Sequence, residues 1–195
     1  MELAVVVGLG NPGPEYENTR HNVGFRVVEE LARRYRVPRF ERRAYALVAA
    51  RPGARKLLLV KPTTYMNLSG RAVASLCRDE GLLPQQVLVV VDDVDLPLGQ
   101  LRLRARGGPG THNGLRSIVE AVGESFPRLR LGVRGQEPWQ DLAAYVLAPF
   151  AEDEREAAEA MVQRAADCVE EALFSGVARA ANRFNARGAA GEPKA

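Results

Sequence analysis

The stretch VLVVVDDVDLP, residues 87–97, frames the reading of the whole chain. Val87 to Val91 form an unbroken apolar run without alternation, which predicts a strand buried on both faces, as in a parallel sheet covered by helices. The run then breaks into Asp92-Asp93-Val94-Asp95-Leu96-Pro97, whose acids and proline predict a loop leaving the end of that strand. Leu3 to Val7 is a second short valine-rich run, ending in glycines, and predicts another buried strand.

Working outward, helical spacing of Val23, Val27, Val28, Leu31 and Tyr35 predicts a helix over 22–36 with Asn22 as its cap. Tyr45 to Ala50 and Lys56 to Val60, joined across Pro52-Gly53, predict a β-hairpin. A helix is expected from Ser69 to Glu80, stopped by Gly81. Leu101 to Ala105 alternates apolar residues with arginine and predicts a strand with one wet, basic face; Leu129, Leu131 and Val133 mark another alternating strand. Between these lies a helix over 115–122, and an amphipathic helix with a short successor fills 152–184. Strands alternating with helices imply an α/β fold: a single-domain three-layer sandwich over 1–187, with a twisted mixed β-sheet and helices on both faces. Residues 188–195 (GAAGEPKA) read as a disordered C-terminal tail.

Composition narrows the function classes. The 195 residues are 46% hydrophobic and 26% charged, ordinary for a soluble domain, and no apolar run reaches the roughly 20 residues of a membrane span. The first residues carry no basic region and no small-residue cleavage site, so no signal peptide is expected. Two separated cysteines suggest a reducing, cytoplasmic setting, and with only two histidines there are few ligands for a structural zinc. The net charge is +3, unevenly spread: 102–134 holds seven arginines against two glutamates, while 151–175 holds eight acids against two arginines. One region could face a polyanion; a merely solvated basic face is the alternative.

Gly8-Leu9-Gly10-Asn11-Pro12-Gly13 spells the G-x-G-x-x-G of a dinucleotide-binding turn. That motif works through backbone N–H groups and a helix N-terminus aimed at a pyrophosphate. Pro12 and Pro14 remove two donors, and the helix begins about nine residues late. A tight turn presenting side chains fits better.

The chemistry-bearing residues fall on segments that follow strands, which in a twisted α/β sheet gather at one edge. His21 lies between a polar loop and a helix, where a cap or surface role is the alternative. His112 sits in a second glycine-rich loop leading into a helix. An aspartate ending a hydrophobic strand is well placed to orient a histidine and favour its imidazolium; turn-forming acids or a magnesium site are the alternatives for 92–95. There is no G-x-S-x-G, and the serines fall in or beside helices. What remains is a histidine acting on water, suited to an activated ester.

The segments VGLGNPGPEYENTRHNVGF (7–25), KPTTYMNLSG (61–70), DDVDLPLGQLRLR (92–104) and GGPGTHNGLRSI (107–118), with FPRLRLGVRG (126–135) and ANRFN (181–185), resemble bacterial-type peptidyl-tRNA hydrolases over nearly the whole chain. The resemblance implies hydrolysis of the ester between a peptide and the 3′ end of tRNA, with no metal or organic cofactor. It implies His21 as catalytic base, Asp92 as the acid that holds it, and Asn11 as the residue distinguishing blocked from free aminoacyl-tRNA. Asn67 and Asn113 would bind the peptide, Tyr16 and Tyr65 would line the cleft, and Met66 would form its wall with His112 beside it. Arg102, Arg104, Arg128, Arg130 and Arg134 would face the tRNA. The expected partner is tRNA, with no membrane and no obligate protein partner, and the chain is expected to act as a monomer. Two departures stand out: Pro109-Gly110-Thr111 replaces the family's glycine-rich pattern before His-Asn-Gly, and Tyr65 sits where many relatives carry phenylalanine. A non-catalytic RNA-binding protein and a nucleotide-dependent enzyme using Gly8 to Gly13 are the rival classes left open by the residues.

Overall fold

The expected central strand is longer than its apolar run. In the computed structural model, which describes residues 1–53 and 55–185, it extends over Val87–Pro97 as β5. Asp92 and Asp93, expected in a loop, instead pair with Leu131 and Gly132 of the neighbouring strand β7 (Arg128–Arg134), with an irregularity before Pro97 pairs with Arg134. Backbone groups that find a partner strand stay extended whatever the local turn propensity.

The other strands are β1 (Val5–Gly8), β2 (Glu41–Arg42), β3 (Ala46–Ala50), β4 (Leu58–Pro62) and β6 (Leu101–Arg104). Among the described residues these form one sheet in the order β2-β3-β4-β1-β5-β7-β6. β1 runs parallel to β4 and β5, and β5 parallel to β7; the β3–β4 hairpin and the β6–β7 pair are antiparallel. The sheet is mixed, as expected.

Helices cover both faces. Helix α1 (Val23–Arg34) and the long α5 (Arg155–Ser175), with α6 (Val177–Phe184), pack on the side of Val6, Leu59, Leu88 and Val90. Helix α2 (Ser69–Glu80) and α3 (Asn113–Val122) cover the side of Val5, Val7, Val60, Val89 and Val91. The valines of β1 and those from Val87 to Val91 of β5 are fully buried, each such side chain stabilising the fold by about 1.5–3 kcal/mol. Gly81 ends α2 in the left-handed conformation, at φ 64°, as its position predicts. Two elements escaped the sequence reading: β2, and the short helix α4 (Leu142–Val146). The proposed boundary at 187 and the tail from 188 lie outside the described residues.

Where β1 ends, backbone meets backbone. A side-chain carbon on Gly8 would run into the carbonyl of Gly24, and one on Gly24 into the carbonyl of Val90. Glycine at both positions lets the first turn of α1 rest directly on the sheet. That contact brings the segment before α1, Arg20 to Asn22, over the ends of β1 and β5.

Candidate active site

A cavity of about 560 Å³ opens at the C-terminal ends of β1, β4 and β5. The segment after β1 supplies Asn11 and His21, the segment after β4 supplies Tyr65, Met66 and Asn67, and β5 itself supplies Asp92. His112 and Asn113 enter from the start of α3, and Arg130 from β7. The first turns of α2 and α3 are held side by side, with Gly70 N donating to Ser117 Oγ at 2.9 Å, which places Asn67 and Asn113 on the same rim.

Asp92 organises the floor. It is 2% exposed, and both of its oxygens lie 2.9 Å from His21 Nδ1. Oδ1 also lies 2.8 Å from Nε2 of His112, so one carboxylate serves two imidazoles. Burial works against its ionisation, but the attraction and hydrogen bonds of His112 and His21 overcome it and hold the carboxyl well below the usual range. His21 Nε2 has no hydrogen-bond partner among the described residues.

Donor types alone would let His21, Asp92 and His112 hold a metal ion, since their ligand atoms lie within 4.8 Å of one another. The facing nitrogens, however, stand at hydrogen-bond distance from the carboxylate, and a metal would have to displace both contacts.

Asn11 and Asn22 form a reciprocal pair. Asn11 N donates to Asn22 Oδ1, and Asn22 Nδ2 donates to Asn11 O, each at 2.9 Å. The side chain of Asn22 is therefore not the helix cap the sequence suggested; it buckles the glycine turn to the histidine segment. Met66 N donates to Asn11 Oδ1 at 2.8 Å. The Asn11 Nδ2 amide is left without a partner among the described residues, in a side chain lining the cavity.

Arg20 fastens the opposite wall. Buried beside His21, it donates to Tyr145 O at 3.1 Å and pairs with Glu154 at 2.9 Å, its guanidinium 4.0 Å from the centre of the Tyr145 ring. Arg20 N also donates to Ala148 O, and Thr19 bridges to Pro149. These contacts hold α4 against the histidine segment, so that Leu142, Val146 and Leu147 form an apolar side of the cavity. This wall escapes a reading by periodicity, because five helical residues are too few to show a period.

The remaining expected residues separate. Tyr16 sits on a 3-10 turn and does not line the cavity, whereas Tyr65 is 57% exposed at its rim. Arg102, Arg104 and Arg134 are exposed on β6 and at the end of β7, away from the cavity. Arg128 is a correction: expected to face tRNA, it is 1% exposed. It donates to the carbonyls of Phe126, Gly108 and Glu124 at 3.0–3.2 Å, and burial pushes its pKa down to about 10. The alternation along β7 holds, with Arg130 half-buried and Arg134 exposed, but the 106–108 loop and the segment before β7 close over Arg128. Arg130 is intermediate; it donates to Gly108 O at 3.1 Å and reaches within 3.6 Å of Asp93.

Residues 5–192 match the family model described as Peptidyl-tRNA hydrolase. A peptidyl-tRNA hydrolase of Roseiflexus sp. (strain RS-1) is 49% identical over 185 residues, covering 93% of this chain and 85% of the relative. That of Aquifex aeolicus (strain VF5) is 45% identical over 175 residues, covering 89% and 91%. The crystal structure of peptidyl-tRNA hydrolase from Acinetobacter baumannii superposes with a TM-score of 0.87 at 33% identity, covering 94% of this chain and 95% of that one. The chain belongs to the peptidyl-tRNA hydrolase family.

Proposed function

We propose that this chain hydrolyses the ester joining a peptide or N-acyl amino acid to the 3′-terminal ribose of tRNA, using a water molecule activated by His21. The observation that carries the mechanism is the pairing of His21 Nδ1 with both oxygens of buried Asp92, which leaves Nε2 as the acceptor in a cavity-lining residue. His21 Nε2 takes a proton from water as the water oxygen attacks the ester carbonyl. The imidazolium that forms is stabilised by Asp92 and returns the proton to the departing ribose oxygen. General-base catalysis supplies about 10²–10⁴-fold, and positioned donors must supply the rest. Asn67 and Asn113 are the donors at the rim for the peptide and the developing oxyanion.

Asn11 is the discriminating residue. With its oxygen turned to Met66 N, its side chain presents the unpartnered Nδ2 N–H groups to the substrate. A blocked substrate presents an amide carbonyl that accepts them; a free ammonium cannot accept and is repelled. Tyr65 and Met66 contact the substrate end, and Tyr16 lies outside the cavity on the approach to it. His112 lies at the cavity floor. Arg102, Arg104 and Arg134 meet the tRNA backbone, with Arg130 nearest the acceptor end. The chain acts as a cytoplasmic monomer, without metal or organic cofactor, recycling tRNA during translation; among the described residues no helix is long and apolar enough to cross a membrane.

The test is turnover of N-acetyl-aminoacyl-tRNA against the free aminoacyl form, in wild type and His21→Ala. Rapid cleavage of the blocked form alone, abolished by the substitution with tRNA binding retained, supports the reading. Undiminished turnover in His21→Ala would remove that residue from the chemistry.

A further inference from the structure

The two imidazoles on Asp92 are not equivalent. Their ring centres stand 5.1 Å apart, inclined at 48°, so each reaches the carboxylate without stacking on the other. Nδ1 of His112 accepts the main-chain N–H of Leu115 at 3.2 Å, capping α3. A nitrogen that accepts carries no proton, so the proton of the neutral ring sits on Nε2 and is donated to Asp92 Oδ1 at 2.8 Å. A second proton, on Nδ1, would face the Leu115 N–H and the positive end of the helix. His112 thus accepts on one side and donates on the other. His21 has an unpartnered Nε2 and is under no such restriction.

We propose that His112 is a positioning residue: a second donor, anchored on its other side by the α3 backbone, that fixes the Asp92 carboxylate and draws part of its charge away from His21. The proposal stands on His21 being the base. A carboxylate oxygen that accepts from two N–H groups offers less negative charge to either. The imidazolium of His21 is then stabilised less than it would be by an unshared carboxylate. Other charged or titratable groups around the pair are Asp93 and Asp95 on β5, Arg130 on β7, Tyr65 before α2, and Arg20 with Glu154 and Tyr145 beneath the His21 segment. Among the described residues none of these hydrogen-bonds to either ring.

Two substitutions separate this role from that of a helix cap. Asparagine reaches only as far as Nδ1, so His112→Asn keeps the cap and loses the contact with Asp92. Glutamine reaches as far as Nε2, so His112→Gln keeps a donor on Asp92 and gives up the cap. The measurement is kcat/KM for N-acetyl-aminoacyl-tRNA against pH at fixed ionic strength, with Tm for each variant. The acidic limb of His112→Asn is expected to move up by about one pH unit with little change in Tm, while His112→Gln keeps the wild-type limb at reduced Tm. Unmoved limbs in both variants, or equal movement in both, would overturn the proposal. Nitrogen-15 NMR of the wild-type imidazoles at neutral pH gives a reading that needs no variant: the ring proton of His112 should sit on Nε2 and not on Nδ1, and the opposite tautomer would refute the idea. Failure of the parent reading looks different, since it shows as persistent turnover in His21→Ala.

Discussion

Two clefts of comparable size lie at opposite ends of the parallel strands, about 560 Å³ at the C-terminal ends and about 670 Å³ beside Leu3 and Leu57. The second is rich in charge, yet its charges answer one another. Arg183 pairs with Glu171 at 2.9 Å, Arg34 holds Asp167 and Glu170 at 2.7 Å, and Arg55 donates to Leu3 O. In the first cleft the amide of Asn11, the rim asparagines Asn67 and Asn113, and Nε2 of His21 have no partner among the described residues. Volume and polarity are shared; unused hydrogen-bonding capacity held in place by buried neighbours is not. That surplus is what a substrate can meet.

The comparison can be broken most severely at Asp92. Replacing it with asparagine removes the charge beneath the base, and kcat for blocked aminoacyl-tRNA is expected to fall by about 10²–10⁴ with tRNA affinity retained. A smaller fall would mean that the floor of the first cleft is no better organised than the second. Next comes Arg20→Ala, which strands Glu154 and releases α4. Urea denaturation should show a loss of about 3–5 kcal/mol, and KM should rise as the apolar wall loosens. Arg104→Ala is a milder test, made outside the cavity: tRNA affinity should fall, and its dependence on salt should flatten by a slope of about one.

The smallest effect belongs to the network beside the second cleft. Glu30 is bonded first by Arg33, with burial opposing and Arg34 assisting, and its pKa is lowered from 4.5 to about 2. Its contribution to stability is complete above its ordinary value and is lost as pH falls from about 4.5 through about 2. Urea midpoints at pH 5 and pH 3 should therefore converge between wild type and Glu30→Gln on acidification, with turnover at neutral pH unaltered.

Much of the architecture was legible. Val87 to Val91 could hardly be anything but an inner strand, and the end of α2 at Gly81 follows from backbone sterics. What the sequence withheld was neighbourhood. The patterns Leu-Arg-Leu-Arg at 101–104 and Arg-Leu-Arg-Leu at 128–131 look alike, yet Arg102 and Arg104 are exposed while Arg128 is buried. The difference is the loop that closes over Arg128 through Gly108, Glu124 and Phe126, a neighbourhood that no local pattern encodes. At the site, an aspartate at a strand end orienting a histidine was readable from the residues, while the choice of His21 and Asp92 came from the family resemblance. The second imidazole on Asp92, the buried guanidinium of Arg20 and the true role of Asn22 were not, since an asparagine before a helix looks the same whether it caps or clasps.

The clasp between Asn11 and Asn22 has a consequence for how this enzyme family can vary. It welds the group proposed to sense whether a substrate is blocked to the residue next to the proposed base, so that choosing and cutting share one rigid piece of backbone. A change that widened substrate tolerance by shifting Asn11 would drag His21 off line in the same movement. New specificities should therefore arise at the outer rim, around Tyr65 and α4, where side chains can be exchanged without disturbing the anvil.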